Sequence, residues 1–143
     1  MGGFFMQYGH FDNEKREYVI DRVDLPVSWT NYLGVNDMCA VVNHTAGGYI
    51  FYQSPEYHRI TRFRGNVYLR DDESGDYWSI SWQPVGKPLD QAKYTCRHGM
   101  SYSVYECEYS GIQASQTLSV AMDDPVEIWD IKIKNTGEKQ RSI

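Results

Sequence analysis

The sequence has no apolar run long enough for a membrane-spanning helix, and its start lacks the basic, apolar and small-residue regions of an export signal. It is therefore expected in the cytoplasm and away from the membrane. It also lacks a basic block. Lys and Arg number 14 against 19 Asp and Glu, and the net charge of -5 is spread along the chain. A nucleic-acid binder draws its affinity from phosphate neutralisation, so no nucleic-acid partner is expected. Cysteine is scarce: Cys39, Cys96 and Cys107 are odd in number and too irregularly spaced for a metal knuckle. Reduced, structural thiols and no metal site follow as expectations. Nowhere do apolar residues recur at helical spacing over a useful length.

Aromatic residues are what the chain has in plenty, 15% with 12 Tyr and 4 Trp. Tyr and Trp favour strands, and they also line sites for sugars or partner proteins. With 41% hydrophobic and 23% charged residues in 143, the composition is that of an ordinary globular domain or a large piece of one. Asn43-His44-Thr45 matches the N-glycosylation acceptor pattern, which carries no meaning without an export signal.

Short strands alternate with polar turns. One is expected at Phe4–Tyr8, then a turn at Asp12-Asn13-Glu14-Lys15 and a second strand at Glu17–Ile20. Trp29, Tyr32 and Leu33 are expected to pack a loop before Gly34. Met38–Val42 and Tyr49–Tyr52 form a strand pair across Gly47-Gly48. Arg59–Arg64 alternates basic and other residues as a strand would, with Arg62 and Arg64 on one face beside Ile60. Val67–Leu69 and Tyr77–Trp82 flank an exposed acidic turn, Asp71–Asp76. Ile112, Ala114, Leu118, Val120 and Met122 share one parity, interrupted by Gln116. Trp129, Ile131 and Ile133 share another, opposite Asp130, Lys132 and Lys134. Such alternation predicts half-buried antiparallel strands. The fold class is all-β, an antiparallel β-sandwich.

Chemistry-bearing residues are few. Cys96 and His98 resemble a nucleophile and base, but one intervening residue on a strand disfavours the geometry a base needs. A buried thiol, with Arg97 and His98 in a polar contact at a strand turn, is the simpler expectation. Asp71, Asp72, Glu73 and Asp76 read as a hydrophilic turn around Gly75, not as acids facing each other across a sugar. Arg59, Arg62 and Arg64 can meet phosphate oxygens through their guanidinium forks, or pair with Glu56, Asp71 and Asp72 on a wet face. Trp29, Tyr32, Trp78 and Trp82 can stack on sugar rings or plug a sandwich end. His10, His44 and His58 stand isolated along the chain. No residue is assigned a catalytic role.

A set of short motifs stands in a distinctive order. It runs through Tyr8-Gly9-His10-Phe11-Asp12, Arg16-Glu17-Tyr18-Val19-Ile20, Asn31-Tyr32-Leu33-Gly34 and Asn43-His44-Thr45-Ala46-Gly47-Gly48-Tyr49. It continues with Ser54-Pro55, Arg59-Ile60-Thr61-Arg62-Phe63-Arg64, Tyr68-Leu69-Arg70-Asp71-Asp72, Gly75-Asp76-Tyr77-Trp78-Ser79 and Ser81-Trp82-Gln83-Pro84-Val85. Cys96-Arg97-His98-Gly99, Val126-Glu127-Ile128-Trp129 and Lys134-Asn135-Thr136 complete it. Over nearly the whole chain this order resembles the N-terminal domain of the inverting glycoside phosphorylases of cellobiose, cellodextrin and chitobiose type, glycoside hydrolase family 94.

The resemblance implies a galactose-mutarotase-like super-sandwich, incomplete here, with residues 1–143 as its opening part. It implies a downstream catalytic (α/α)6 barrel and a homodimer in which loops of this domain help wall the active site. The parent would cleave a β-linked glucoside with inorganic phosphate as co-substrate, giving α-glucose 1-phosphate and needing no cofactor. The aspartic acid that protonates the leaving oxygen lies in the barrel and has no counterpart here. Arg59 and Arg62 then become candidates for the domain or dimer interface, Trp78 and Trp82 for sugar contact, and Arg97 and His98 for substrate or phosphate contact. Two departures are visible. Arg64-Gly65-Asn66-Val67 closes within a few positions where the family has a longer loop, and Asn135-Thr136-Gly137-Glu138-Lys139 resembles a mid-domain turn, as in a truncated chain. The alternatives are a free-standing carbohydrate-binding module and an inactive truncated product.

Overall fold

The computed structural model describes residues 7–61 and 66–143, in which eleven strands and no helices are found. They are β1 (Gly9–Asp12), β2 (Glu17–Ile20), β3 (Thr30–Leu33), β4 (Met38–Asn43), β5 (Gly48–Tyr52), β6 (Tyr68–Arg70), β7 (Tyr77–Ser79), β8 (Lys93–His98), β9 (Tyr102–Tyr109), β10 (Ile112–Val120) and β11 (Glu127–Asn135). A six-stranded antiparallel sheet runs in the order β1-β2-β8-β9-β10-β11. The strands β3-β4-β5 form a second sheet and β6-β7 a third. One core joins all three: Ile20, Tyr94, Cys96, Tyr105, Ala114 and Leu118 from the large sheet meet Leu33, Val42, Leu69 and Trp78 from the others. The architecture is all-β and antiparallel, an incomplete sandwich.

Local sequence explains several elements. β9 and β10 are joined by Ser110-Gly111, with φ of 51° and 74°. Two successive positive φ values make the turn whose twist matches the flanking strands, which is why a glycine stands there. Alternation along β10 appears as buried Ile112, Ala114, Gln116, Leu118 and Val120 between more exposed neighbours.

Other elements differ from expectation. Among the described residues the first strand is β1; of the strand expected at Phe4–Tyr8, residues 4–6 lie outside the described residues, and Gln7 and Tyr8 are not in a strand. Gly, His and Asp disfavour strands, yet Gly9 lies so close to Val19 that a Cβ would meet its carbonyl oxygen at 2.2 Å. Pairing with β2 dictates the strand. The expected loop at Tyr32 and Leu33 is strand β3, held on β4 with Leu33 fully buried. The expected strand at Arg59–Arg64 is, where described, only an isolated bridge between Arg59 and Phe51, and residues 62–65 lie outside the described residues. β7 ends at Ser79, because Trp82 adopts φ 72° in a turn. The acidic turn is not wholly exposed: Asp71 is buried. Cys96 and His98 stand on a strand as expected, β8, whose bounds and whose partner β9 the sequence pattern does not give.

The apolar face of β11 is not half-buried as its alternation predicts. Trp129, Ile131 and Ile133 are 36%, 41% and 50% exposed. In register they continue the core face of β10, opposite Leu118, Gln116 and Ala114. β11 is the sheet's edge, and no described strand lies over it.

One side chain ties the large sheet to the second. The Asn31 amide on β3 donates to the carbonyls of Gly99 and Tyr102 at 2.8 and 3.0 Å and lies 3.1 Å from Ser103 Oγ. These acceptors lie around the β8–β9 turn, where truncation would take from the Gly99 carbonyl its side-chain donor, while the Tyr102 carbonyl keeps the Gly99 N–H at 2.9 Å. Asn31→Ala is expected to lower the unfolding free energy by about 1–3 kcal/mol. A urea titration should show a lower midpoint at unchanged slope.

Candidate functional site

The sequence-predicted residues do not converge on one site. Arg97 and His98 are neighbours on β8 and therefore point to opposite faces of the sheet. They do not form the polar contact expected of them. Arg97 lies on the outer face, donating from Nε to Glu106 Oε2 at 3.0 Å, with Nη1 3.7 Å from Glu17 Oε2. Tyr102 donates its hydroxyl to the other oxygen of Glu17 at 2.7 Å. The guanidinium is already held by two carboxylates. It lines an open groove of about 440 Å³ together with Lys93, Thr95, Glu106, Ser115 and Lys132.

His98 faces inward. Its Nδ1 lies 2.9 Å from Ser103 Oγ and its Nε2 3.4 Å from the Trp29 carbonyl. The carbonyl can only accept, so Nε2 carries the proton and Nδ1 accepts from Ser103. His44 binds the other side of the same residue: the Trp29 N–H donates to its Nδ1 at 3.3 Å, and its Nε2 donates to the Val23 carbonyl at 3.1 Å. Two neutral histidines thus clamp the Trp29 backbone. Burial lowers the pKa of both, that of His98 to about 4. Sequence spacing gave no sign of this pair, because 54 positions separate its members along the chain (98 minus 44).

Cys96 comes within 3.7–3.8 Å of both His98 ring nitrogens, since residues two apart on a strand share a face. Geometry alone therefore does not separate them, contrary to the sequence-based expectation. Burial does, holding the Cys96 thiol far above the usual thiol range, so no thiolate is available as nucleophile. Cys107 is pushed up to about 12 by burial, and all three cysteines are free and buried.

The tryptophans divide. Trp78 is fully buried, its ring edge-on to Tyr109 with centroids 5.2 Å apart. It presents no face to a sugar. Trp82 is half-buried and donates its indole N–H to the Lys87 carbonyl at 3.0 Å. Arg59 is exposed, its guanidinium 4.0 Å above the Tyr49 ring, a cation–π contact. Arg62 lies outside the described residues. The acidic turn is consumed internally: Arg141 Nη2 reaches Asp71 at 2.8 Å, while Asp76 takes Lys87 Nζ at 2.5 Å and the Tyr109 hydroxyl at 2.7 Å. Among the described residues no group of His, Cys, Asp and Glu is arranged to hold a metal ion. An aromatic row not legible in the sequence joins exposed Phe11 and Trp29 through half-buried Tyr18, at centroid distances of 4.8 and 4.7 Å.

The architecture is an all-β antiparallel sandwich in which the polar residues singled out above bond mostly to one another. Residues 16–143 match the supersandwich domain of glycosyl hydrolase 94, and the chain belongs to that family. It is 58% identical over 147 residues to the N,N'-diacetylchitobiose phosphorylase of Vibrio proteolyticus, covering 96% of this chain and 18% of that protein. The protein of the same name from Vibrio furnissii is 54% identical over the same shares. The solabiose phosphorylase of Paenibacillus borealis is 34% identical over 95% of this chain and 19% of its own length. The chain thus spans about a fifth of the length of the relatives it matches.

Proposed function

We propose that these residues form a non-catalytic N-terminal sandwich region of a carbohydrate phosphorylase, supporting a catalytic barrel and a homodimer in the cytoplasm. The parent enzyme cleaves a β-linked glycoside with inorganic phosphate and releases an α-sugar 1-phosphate. The observation that carries this reading is identity of 58% and 54%, over 96% of the chain, to two phosphorylases of one named activity. Their names make N,N'-diacetylchitobiose the first substrate to test, ahead of the β-glucosides that the sequence motifs favour. The sugar and the phosphate are handled outside these residues, whose role is to hold loops and partner surfaces in place. Arg59, exposed above Tyr49, is the described candidate for such an interface.

The test is expression of the full coding sequence and assay with N,N'-diacetylchitobiose, cellobiose and inorganic phosphate. Sugar 1-phosphate should appear only when phosphate is present, and residues 1–143 alone should release none. Cleavage without phosphate, or no cleavage of any β-linked disaccharide, would sink the reading.

A further inference from the structure

The groove on the outer face of the large sheet is built from two cross-strand rows. Lys93, Glu108, Gln113 and Lys134 stand in register across β8, β9, β10 and β11. Thr95, Glu106, Ser115 and Lys132 form the row beside them. Residues paired across strands, and residues two apart along one, share a face, so both rows project to the same side. The volume of about 440 Å³ falls within the roughly 300–1,000 Å³ of small-ligand sites. Its charge runs against that of the chain: with Arg97 it holds four cations against two carboxylates, in a protein of net charge -5.

The two ends of the groove differ from its middle. Lys132 and Lys134 lie two apart on β11, about 7 Å along one face, so their flexible stems can meet on one phosphoryl group. Among the described residues Lys134 and Lys93 have no ion-pair partner, and Lys132 has only exposed Asp130, at 3.1 Å. In the middle, Arg97 is already held by Glu106 and Glu17, and Glu108 meets only the Gln113 amide, at 3.4 Å. The Thr95 and Ser115 hydroxyls have no partner among the described residues. This division selects the ligand. The ammonium pair calls for an anion, whereas the carboxylates accept hydrogen bonds and repel further negative charge. A polyanion laid across all four strands is therefore disfavoured. No aromatic side chain lines the groove, so a nucleobase has no ring to stack on. A compact ligand with an anion at one end and hydroxyl groups at the other satisfies both parts.

We propose that this outer groove binds a sugar phosphate, with the phosphoryl group on Lys132 and Lys134 and the sugar hydroxyls over Glu108, Gln113 and Ser115. The hydroxyls donate to the carboxylate and exchange hydrogen bonds with the amide and the serine. The ligand is held and not converted. This gives these residues a ligand of their own, beyond the supporting role proposed above, and it does not depend on that role.

The experiment is competitive acetylation of lysine amines in the protein expressed from the full coding sequence, read residue by residue by peptide mass spectrometry. The probes are α-glucose 1-phosphate, inorganic phosphate and glucose, each titrated. A ligand lowers labelling of an amine it covers by the factor 1 + [L]/Kd, so α-glucose 1-phosphate at about twice its Kd should protect Lys132 and Lys134 about threefold. Lys15 and Lys139, exposed and outside the groove, should be labelled as before. Inorganic phosphate lacks the hydroxyl contacts and should need a concentration about tenfold higher for the same protection, and glucose should give none. Ser115→Tyr, which fills the middle of the groove, should reduce α-glucose 1-phosphate to the level of inorganic phosphate. Equal protection by the two anions in the unaltered protein overturns the proposal, and so does protection shared by Lys15 and Lys139, since the lysines then attract an adventitious ion only. Lys132 and Lys134 that resist acetylation before any probe is added also overturn it, because another part of the protein then fills the groove. Loss of phosphorylase activity from the full-length protein would bear on the proposed function and leave this protection pattern unchanged.

Discussion

Trp78→Ala is expected to lower the unfolding free energy by about 3–5 kcal/mol, the usual range for removing a large aromatic side chain from a core. Trp78 is among the largest fully buried side chains, and Leu69 is its cross-strand partner in the β6–β7 hairpin. A two-stranded sheet is marginal alone and depends on packing against a larger layer. Trp78 supplies that packing through the core cluster and its edge contact with Tyr109. A domain of this size is stable by roughly 5–15 kcal/mol, so the variant should approach unfolding at 37 °C. Trp78→Phe makes a useful comparison. It keeps much of the ring and discards an indole N–H that has no hydrogen-bond partner, so it should lose less than half as much. Urea denaturation of the two variants checks this. A stable Trp78→Ala protein that no longer bound sugar would return Trp78 to the sugar-contact role suggested by its motif.

The second large effect is on pH. Burial holds the His98 imidazole near a pKa of about 4, below the usual 6.5, and burial lowers His44 as well. Between about pH 6.5 and 4 the unfolded chain binds protons that the native state refuses. Stability is therefore fully present above pH 6.5 and lost as pH falls through this window. The slope reaches about 1.4 kcal/mol per pH unit for each fully shifted site, which amounts to roughly 3 kcal/mol for His98. Asp24, Asp71 and Asp76 have pKa values lowered chiefly by side-chain hydrogen bonds, so their contribution persists above the ordinary carboxylate range and fades only at lower pH. The loss between pH 6.5 and 4.5 thus belongs to the histidines. His98→Gln should flatten it while costing stability at pH 7, since the Ser103 and Trp29 contacts are no longer ideal. Unfolding midpoints that did not change between pH 7 and 4.5 would falsify the clamp.

Much of the fold was legible because β-strands alternate with period two. Ile112 to Val120 shows it plainly, and Glu17–Ile20, Met38–Val42 and Tyr49–Tyr52 were placed to within a residue. The extents of β8 and β9 are not legible in the sequence, for a physical reason. Their core face carries Tyr94, Cys96, Ser103, Tyr105 and Cys107, small or amphipathic residues, and their outer face carries Tyr102 and Val104, so hydrophobicity does not alternate. β1 is not legible in the sequence because a poor strand former, Gly9, is required by the close approach of Val19.

The sequence by itself determined the class, an all-β antiparallel domain without helices in its pattern, and through the order of its motifs the family to which it belongs. Those are properties of local periodicity and of residue order along the chain. Only the tertiary structure decided which groups are reactive and which surfaces are free. Whether Trp78 is core or platform, whether Cys96 ionises, and whether His44 and His98 share a backbone depend on burial and on contacts between distant residues. The alternation in β11 correctly predicts a strand. It does not predict that its apolar face stays partly exposed, because a strand's pattern records which face seeks burial, and not how closely other elements pack on it.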